Sequence, residues 1–490
     1  MSSLRQLVSQ TAIYGLSSIL GRFLNYLLVP LYTYTFAAGQ YGVVSEFYAY
    51  AGFFAVLLAF GLETGYFRFR QQQGLDAQKV YACSLSFLFV TSLIFFVVAW
   101  FYAADLSATL QYPSHPEYVL SFAAILAIDA LSALPFARLR AENRAWRFAG
   151  IKLTEILLTI GLNLAFLLCL PVLVKSWPSI AEYYHSEQAV AYIFYANLIA
   201  SAVKLVLLLP QFRAVDFTLD KQFLGPILRY SLPMVVIGFA GMINEMLDRA
   251  ILKQLLPYDA ETNLKMLGIY GACYKLSILM TLFVQAFRYA GEPFFFAYAG
   301  RSDAKAAYAL VMRYFVIAGV AIFLLVTLYI DFFKYFIGEE YRQGLAVVPV
   351  LLLANLCLGV YVNLSVWYKL SDRTGLGAWV AIAGAAVTIA LNILWIPEWG
   401  YMGSAWATLV CYAFMTIVSW GLGRYFYPVP YPLIKIAFYL GLGVALYFLS
   451  PFMQMYWQMS VWSSATACML FYLLVVSLSD VRPLLRRRAV

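Results

Sequence analysis

RAENRAWRFAGIKLTEILLTIGLNLAF, residues 140–166, has a counterpart further along the chain in KLSDRTGLGAWVAIAGAAVTIALNILW, residues 369–395. Arg144 precedes Asn163 by nineteen positions and Arg373 precedes Asn392 by the same nineteen, so the stretches align at an offset of 229. A second pair agrees with the first. QYGVVSEFYAYAGFFAVLLAFG, from Gln40, matches LGIYGACYKLSILMTLFVQAF, from Leu267, with Gly42 and Gly268 in equivalent places at an offset of 226. Self-similarity at a fixed spacing marks a duplicated structural unit.

What the unit is made of follows from composition. Of the 490 residues, 63% are hydrophobic and 12% charged, and mean hydropathy is +0.79; a soluble domain carries about 25% charged residues. The chain is therefore expected to be an all-α polytopic membrane protein. A hydrocarbon core of ~30 Å needs about 20 apolar helical residues. Stretches of that size predict fourteen spans, near 11–35, 41–67, 80–103, 117–137, 147–174, 189–212, 225–256, 265–299, 308–333, 344–370, 376–396, 401–424, 431–451 and 460–479. The runs are too long, and alternate too little, for a barrel. The amino terminus runs directly into a full-length apolar stretch, so no cleaved signal peptide is expected.

The repeats then divide the spans into two six-helix lobes, 1–213 and 214–426, followed by two further helices and a basic tail in 427–490. Each lobe holds an even number of spans, so the copies share one orientation and relate by a pseudo-two-fold along the membrane normal. With a cytoplasmic amino terminus, 23 Lys and Arg fall inside and five outside, the other five lying in or at the ends of spans. Both termini are expected in the cytoplasm, as the excess of positive loop charge there requires. That topology accounts for the net charge of +9, so nucleic acid is not an expected partner.

Several chemistries are excluded. His115 and His185 lie in outer loops away from the cysteines, and Cys83, Cys169, Cys273, Cys357, Cys411 and Cys468 are scattered singly, so neither a metal cluster nor a disulfide framework is expected. No Walker loop, GxSxG or HExxH occurs, and the longest loops are about a dozen residues. Function must lie within the membrane, and neither an enzyme nor a bound cofactor is expected.

Polar residues inside spans are then the candidates, because an intramembrane charge costs roughly 3 kcal/mol unless it faces protein or water. On span one, Thr11, Gly15, Ser18, Arg22, Asn25, Tyr26 and Thr33 form a stripe at helical spacing. In span seven, INEMLDRAIL (243–252) carries Asn244, Glu245, Asp248 and Arg249. Glu245 and Arg249 are spaced to pair along the helix, which reads either as simple stitching or as part of a site. Asp129, Lys204 and Lys275 lie within spans four, six and eight, and Glu63 nearer the cytoplasmic surface.

The stretch GLSSILGRFLNYLLVPLYTYTFAAGQYGVVSEFYAY (15–50), with the fourteen-span layout and the glycines opening spans two and eight, resembles the polysaccharide-biosynthesis or O-antigen flippases of the multidrug/oligosaccharidyl-lipid/polysaccharide (MOP) exporter superfamily. The resemblance implies a two-lobed transporter working by alternating access in the bacterial inner membrane. The implied substrate is an undecaprenyl-diphosphate-linked oligosaccharide, with polysaccharide polymerase and chain-length machinery as further partners. Arg22, Arg249, Lys275 and Lys204 are the cations available to a diphosphate. Asn25, Tyr26, Asn244 and Tyr274 suit a sugar chain, and Asp129, Glu245, Asp248 and Glu63 are candidates for coupling to H+ or Na+. Competing readings are a drug or metabolite cation antiporter of the same superfamily, a lipid II flippase, and a membrane-embedded polymerase or glycosyltransferase; the last is disfavoured because no loop is large enough.

Overall fold

The computed structural model describes residues 19–72, 75–177, 189–213 and 215–481. Thr11, Gly15 and Ser18 of the expected stripe, His185 and the basic tail lie outside the described residues. Among those described there is no strand. The chain separates into two compact units, Met1–Gly268 and Ile269–Val490. That boundary concerns compactness, whereas the division at 213/214 concerns sequence equivalence and stands as a proposal.

The first unit begins with helical residues 19–26 and α1 (Leu28–Thr35), then α2 (Ala38–Ala59) and α3 (Leu62–Arg70). Phe60 and Gly61 take left-handed backbone conformations between α2 and α3 and break the run. There follow α4 (Ala77–Phe101), α5 (Ala103–Thr109), α6 (Pro116–Ala141), α7 (Ala145–Leu164, prolonged through a π-helical turn to Ser176), α8 (Ala189–Leu208) and α9 (Lys221–Leu255). Asp76 and Asp220 start α4 and α9 by accepting the backbone N–H two residues on, at 2.8 Å in each case. Leu62, Tyr66, Val80, Leu85, Leu134 and Ile227 make one core where α3, α4, α6 and α9 meet.

Across the junction runs α10 (Ala260–Leu276), entered through Asp259. The carboxylate of Asp259 accepts from the Thr262 N–H at 3.0 Å and its hydroxyl at 2.8 Å, which holds its pKa below the ordinary carboxylate range. The second unit continues with α11 (Ile278–Tyr298), α12 (Ala304–Leu328), α13 (Val347–Leu364), α14 (Thr374–Phe426), α15 (Leu433–Trp457) and α16 (Val461–Val476). One of its cores joins Ala354 of α13 to Val380, Cys411, Tyr412 and Met415 of α14.

Eleven described helices are long and apolar enough to cross a membrane, or twelve if α10 and α11, bent by 50° at their junction, form one span. The difference from fourteen has local causes. The 53 residues of α14 cover two expected spans and turn at Gly400, whose φ of 59° suits glycine, and the first expected span extends beyond the described residues.

Candidate functional site

On α7, Lys152, Glu155, Thr159 and Asn163 recur at intervals of three and four, which places them along one face of the helix. Glu155 Oε1 meets Lys204 Nζ of α8 at 2.6 Å, and its Oε2 meets Lys152 Nζ at 3.2 Å. Lys204 Nζ reaches Asp129 Oδ1 of α6 at 2.5 Å, and Ser201, one turn earlier on α8, donates to the same oxygen at 3.0 Å. Buried Ala196 and Ala200 keep the adjoining α8 surface small, as packing between helices in lipid favours. The structure thus brings Asp129 and Lys204 together, adds Glu155, and commits the lysine to two carboxylates.

Exposure within the cluster is graded. The Lys204 side chain is 2% exposed, Glu155 17% and Asp129 45%. Removing a lysine this deep from water is costly unless geometry and hydrogen bonding compensate, and here two carboxylates do so. The cluster presents one open carboxylate backed by a buried cation.

A second charged cluster went unrecognised in the sequence. Glu46 of α2, fully buried, accepts from Tyr112 at 2.5 Å and meets Lys253 Nζ of α9 at 3.0 Å. Lys253 also donates to the Leu110 carbonyl at 2.7 Å and lies 4.2 Å above the Tyr112 ring. Burial, and then the Glu46 carboxylate, push the Tyr112 phenol above its ordinary pKa. Lys253 lies in the last turn of α9, within the seventh expected span.

The helix pair expected in INEMLDRAIL forms differently. Arg249 Nε meets Asp248 Oδ1 at 3.3 Å, and Nη2 donates to the backbone carbonyl of Glu245 rather than to its carboxylate. Among the described residues the Glu245 carboxylate has no ion-pair partner. Asn244, Asp248 and Arg249 are buried. Arg22 and Asn25 are exposed and Tyr26 half-buried, and among the described residues no carboxylate pairs with Arg22. Glu63 is ion-paired with Arg140 at 2.5 Å, and Tyr274 and Lys275, both half-buried, end α10 in the second unit. Among the described residues no group of His, Cys, Asp and Glu is placed to hold a metal ion.

The repeat contained a signal for Glu155. At the offset of 229, Thr159 and Asn163 correspond to Thr388 and Asn392, but Lys152 and Glu155 correspond to Ala381 and Gly384. The shared residues do shared work: Asn163 donates to the Thr159 carbonyl at 2.7 Å and Asn392 to the Thr388 carbonyl at 2.8 Å. Each asparagine oxygen then accepts a hydroxyl, from Tyr32 at 2.9 Å and Ser404 at 3.0 Å. Scaffold is common to the copies; the charges belong to the first alone.

Residues 7–298 match the family model described as "Polysaccharide biosynthesis protein". Comparison with curated protein sequences gives no match. Among solved structures, the chain is similar to the lipid II flippase MurJ in an inward closed conformation, with 13% identity and a TM-score of 0.68 over 96% of this chain and 99% of that one. It is also similar to a multidrug resistance MATE family transporter of the MOP superfamily. The inward-facing form gives 14% identity and a TM-score of 0.63, the outward-facing form 14% and 0.60, each over 88% of this chain and 96% of that one. At these identities the structural likeness shows the fold alone, a fold shared with the lipid II flippase MurJ and with MATE transporters of the MOP superfamily, but the family model covers more than half of the sequence: the chain belongs to the polysaccharide biosynthesis protein family.

Proposed function

We propose that the protein is a flippase for undecaprenyl-diphosphate-linked oligosaccharide, an O-antigen, capsule or exopolysaccharide repeat unit. It moves the substrate from the cytoplasmic to the periplasmic leaflet by alternating access in the inner membrane, with both termini cytoplasmic. One observation carries this reading beyond the family: Asp129 lies midway along an apolar helix, 45% exposed yet ion-paired. A carboxylate so placed requires water beside it, and a wet passage is what a saccharide and a diphosphate need to cross. Arg22, exposed and without an acidic partner among the described residues, supplies a planar cation for the diphosphate. Asn25, Tyr26, Asn244 and Tyr274 are proposed for the sugars, with Arg249 and Lys275 as further cations. Lys204 holds the coupling carboxylate Asp129 rather than the substrate. Asp248, Glu245 and Glu63 remain lesser coupling candidates, for H+ or Na+. Polymerase and chain-length machinery are the proposed partners that receive the product.

The test is transfer of a fluorescent undecaprenyl-diphosphate oligosaccharide between leaflets of proteoliposomes. Wild-type protein should equilibrate it, and Arg22→Ala should slow transfer at least ~tenfold at equal protein levels, about 1.4 kcal/mol or more. Normal transfer by that variant removes Arg22 from the mechanism. Cation antiport is the second reading, favoured by Glu245, whose carboxylate has no ion-pair partner among the described residues, and by the MATE-like fold; drug efflux without oligosaccharide transfer would establish it. Transfer of lipid II in preference to the oligosaccharide would assign the lipid II flippase reading.

A further inference from the structure

Away from the charged clusters, a cavity of 630 Å³ opens in the first unit where α3 ends and α9 begins, lined by Arg68, Phe69, Gly225, Pro226, Arg229 and Tyr230. The Arg68 guanidinium stacks 4.2 Å above the Tyr230 ring, and Phe69 meets that ring edge-on with centroids 6.1 Å apart. Stacking engages the face of the guanidinium and leaves its in-plane N–H donors free for an anion. Arg229 shares the wall. Both arginines are exposed, and among the described residues neither has a carboxylate partner. Elsewhere in this basic region, Arg138 and Arg144 are paired with Glu142, and Arg140 with Glu63. Two uncommitted guanidiniums on one cavity are the donor set that a phosphate ester uses.

The adjoining surface of α9 identifies what carries the phosphate. Ile227 and Ser231 face α3, where a Cβ on Gly65 would press on both. Gly225, Arg229, Leu232 and Val236, at spacings of four, three and four, lie on the opposite side of α9. Leu232 is 48% and Val236 58% exposed. A charged head and an apolar track therefore continue along one helix face, in the order in which an anionic lipid presents its headgroup and its chain. A cavity of this size falls within the usual range for small-molecule sites.

We infer that the Arg68/Arg229 cavity binds the phosphate-bearing headgroup of a membrane lipid, with its chain along Leu232 and Val236. The inference is independent of which substrate is transported, because it rests on this cavity and this helix face alone.

Native mass spectrometry of the purified full-length protein tests it, with phosphatidylglycerol, phosphatidylcholine, undecaprenyl diphosphate and inorganic phosphate as separate probes. Wild-type protein should retain one phosphatidylglycerol or undecaprenyl diphosphate at least tenfold more tightly than phosphatidylcholine. The exposed-site double variant Arg68→Gln/Arg229→Gln should lose that preference while keeping the wild-type melting temperature, and Leu232→Ser/Val236→Ser should weaken both anionic lipids. Preference for undecaprenyl diphosphate over phosphatidylglycerol would mark the cavity as a substrate-headgroup site, and the reverse order as a site for bulk lipid; either supports the inference. Unchanged preference in the arginine variant overturns it. Competition by inorganic phosphate as strong as that by the lipids, with no effect of the Leu232/Val236 change, overturns the assignment to a lipid.

Discussion

Lys204 is held in the first unit by what surrounds it, and the consequence of removing it follows from what remains. Lys204→Met leaves Asp129 and Glu155 facing a methionine in a low-dielectric setting, and breaking a buried pair by deleting one partner costs about 3 kcal/mol. The variant should melt several degrees below wild type in detergent, whereas Asp129→Asn/Glu155→Gln/Lys204→Met, which removes all three charges, should recover most of the loss. A triple variant as unstable as the single one would show that packing of the lysine stem, not charge, is the source. Asp129 and Lys204 were legible in the sequence as isolated charges in apolar runs. Their pairing was not, because they lie 75 residues apart and only the packing of α6 on α8 joins them. Glu155 and Glu46 were hidden for a different reason: each stands in a stretch whose repeat pattern drew attention to neighbouring glycines and asparagines.

At the scale of helices, Gly42 and Gly268 turn from sequence markers into a contact. A Cβ on Gly42 would overlap the carbonyl oxygen of Leu264, and one on Gly268 would overlap that of Ala38. Each carbonyl belongs to the residue four positions before the other glycine, so α2 and α10 approach by the same geometry from both sides. Repeat-equivalent helices meeting in this way produce a reciprocal contact. In lipid, where apolar surface alone gives little drive to associate, such backbone approach is a main source of cohesion. Gly42→Val and Gly268→Val should each lower thermal stability markedly, since overpacking costs about 1–3 kcal/mol and here the obstacle is backbone. Gly150→Ala, on α7 with open space around its Cβ, should be neutral or slightly stabilising and serves as the control. A melting temperature unchanged in Gly42→Val would mean that α2 and α10 do not cross this closely. Hydropathy located these helices well and divides residues 374–426 where Gly400 turns the chain, but it could not foresee that Phe60 and Gly61 break α2 from α3, because that depends on backbone conformation at two residues.

For the molecule as a whole, charge asymmetry between loops is the property on which the direction of transport depends. Of 33 Lys and Arg, 23 were placed on one side and five on the other. The basic α6–α7 turn is then expected in the cytoplasm, and the turn at Tyr112–His115 on the opposite face. A green fluorescent protein fused after Val490 should fluoresce in cells, and a single cysteine introduced at Ser114 should react with a membrane-impermeant maleimide in intact spheroplasts. A cysteine at Asn143, in the α6–α7 turn, should react only after permeabilisation. The reverse labelling pattern would invert the orientation and with it the direction of transfer, while leaving the two charged clusters and the family unaffected. A cysteine at Asn143 labelled from outside in only a fraction of molecules would indicate dual insertion, which loop charge this uneven should prevent.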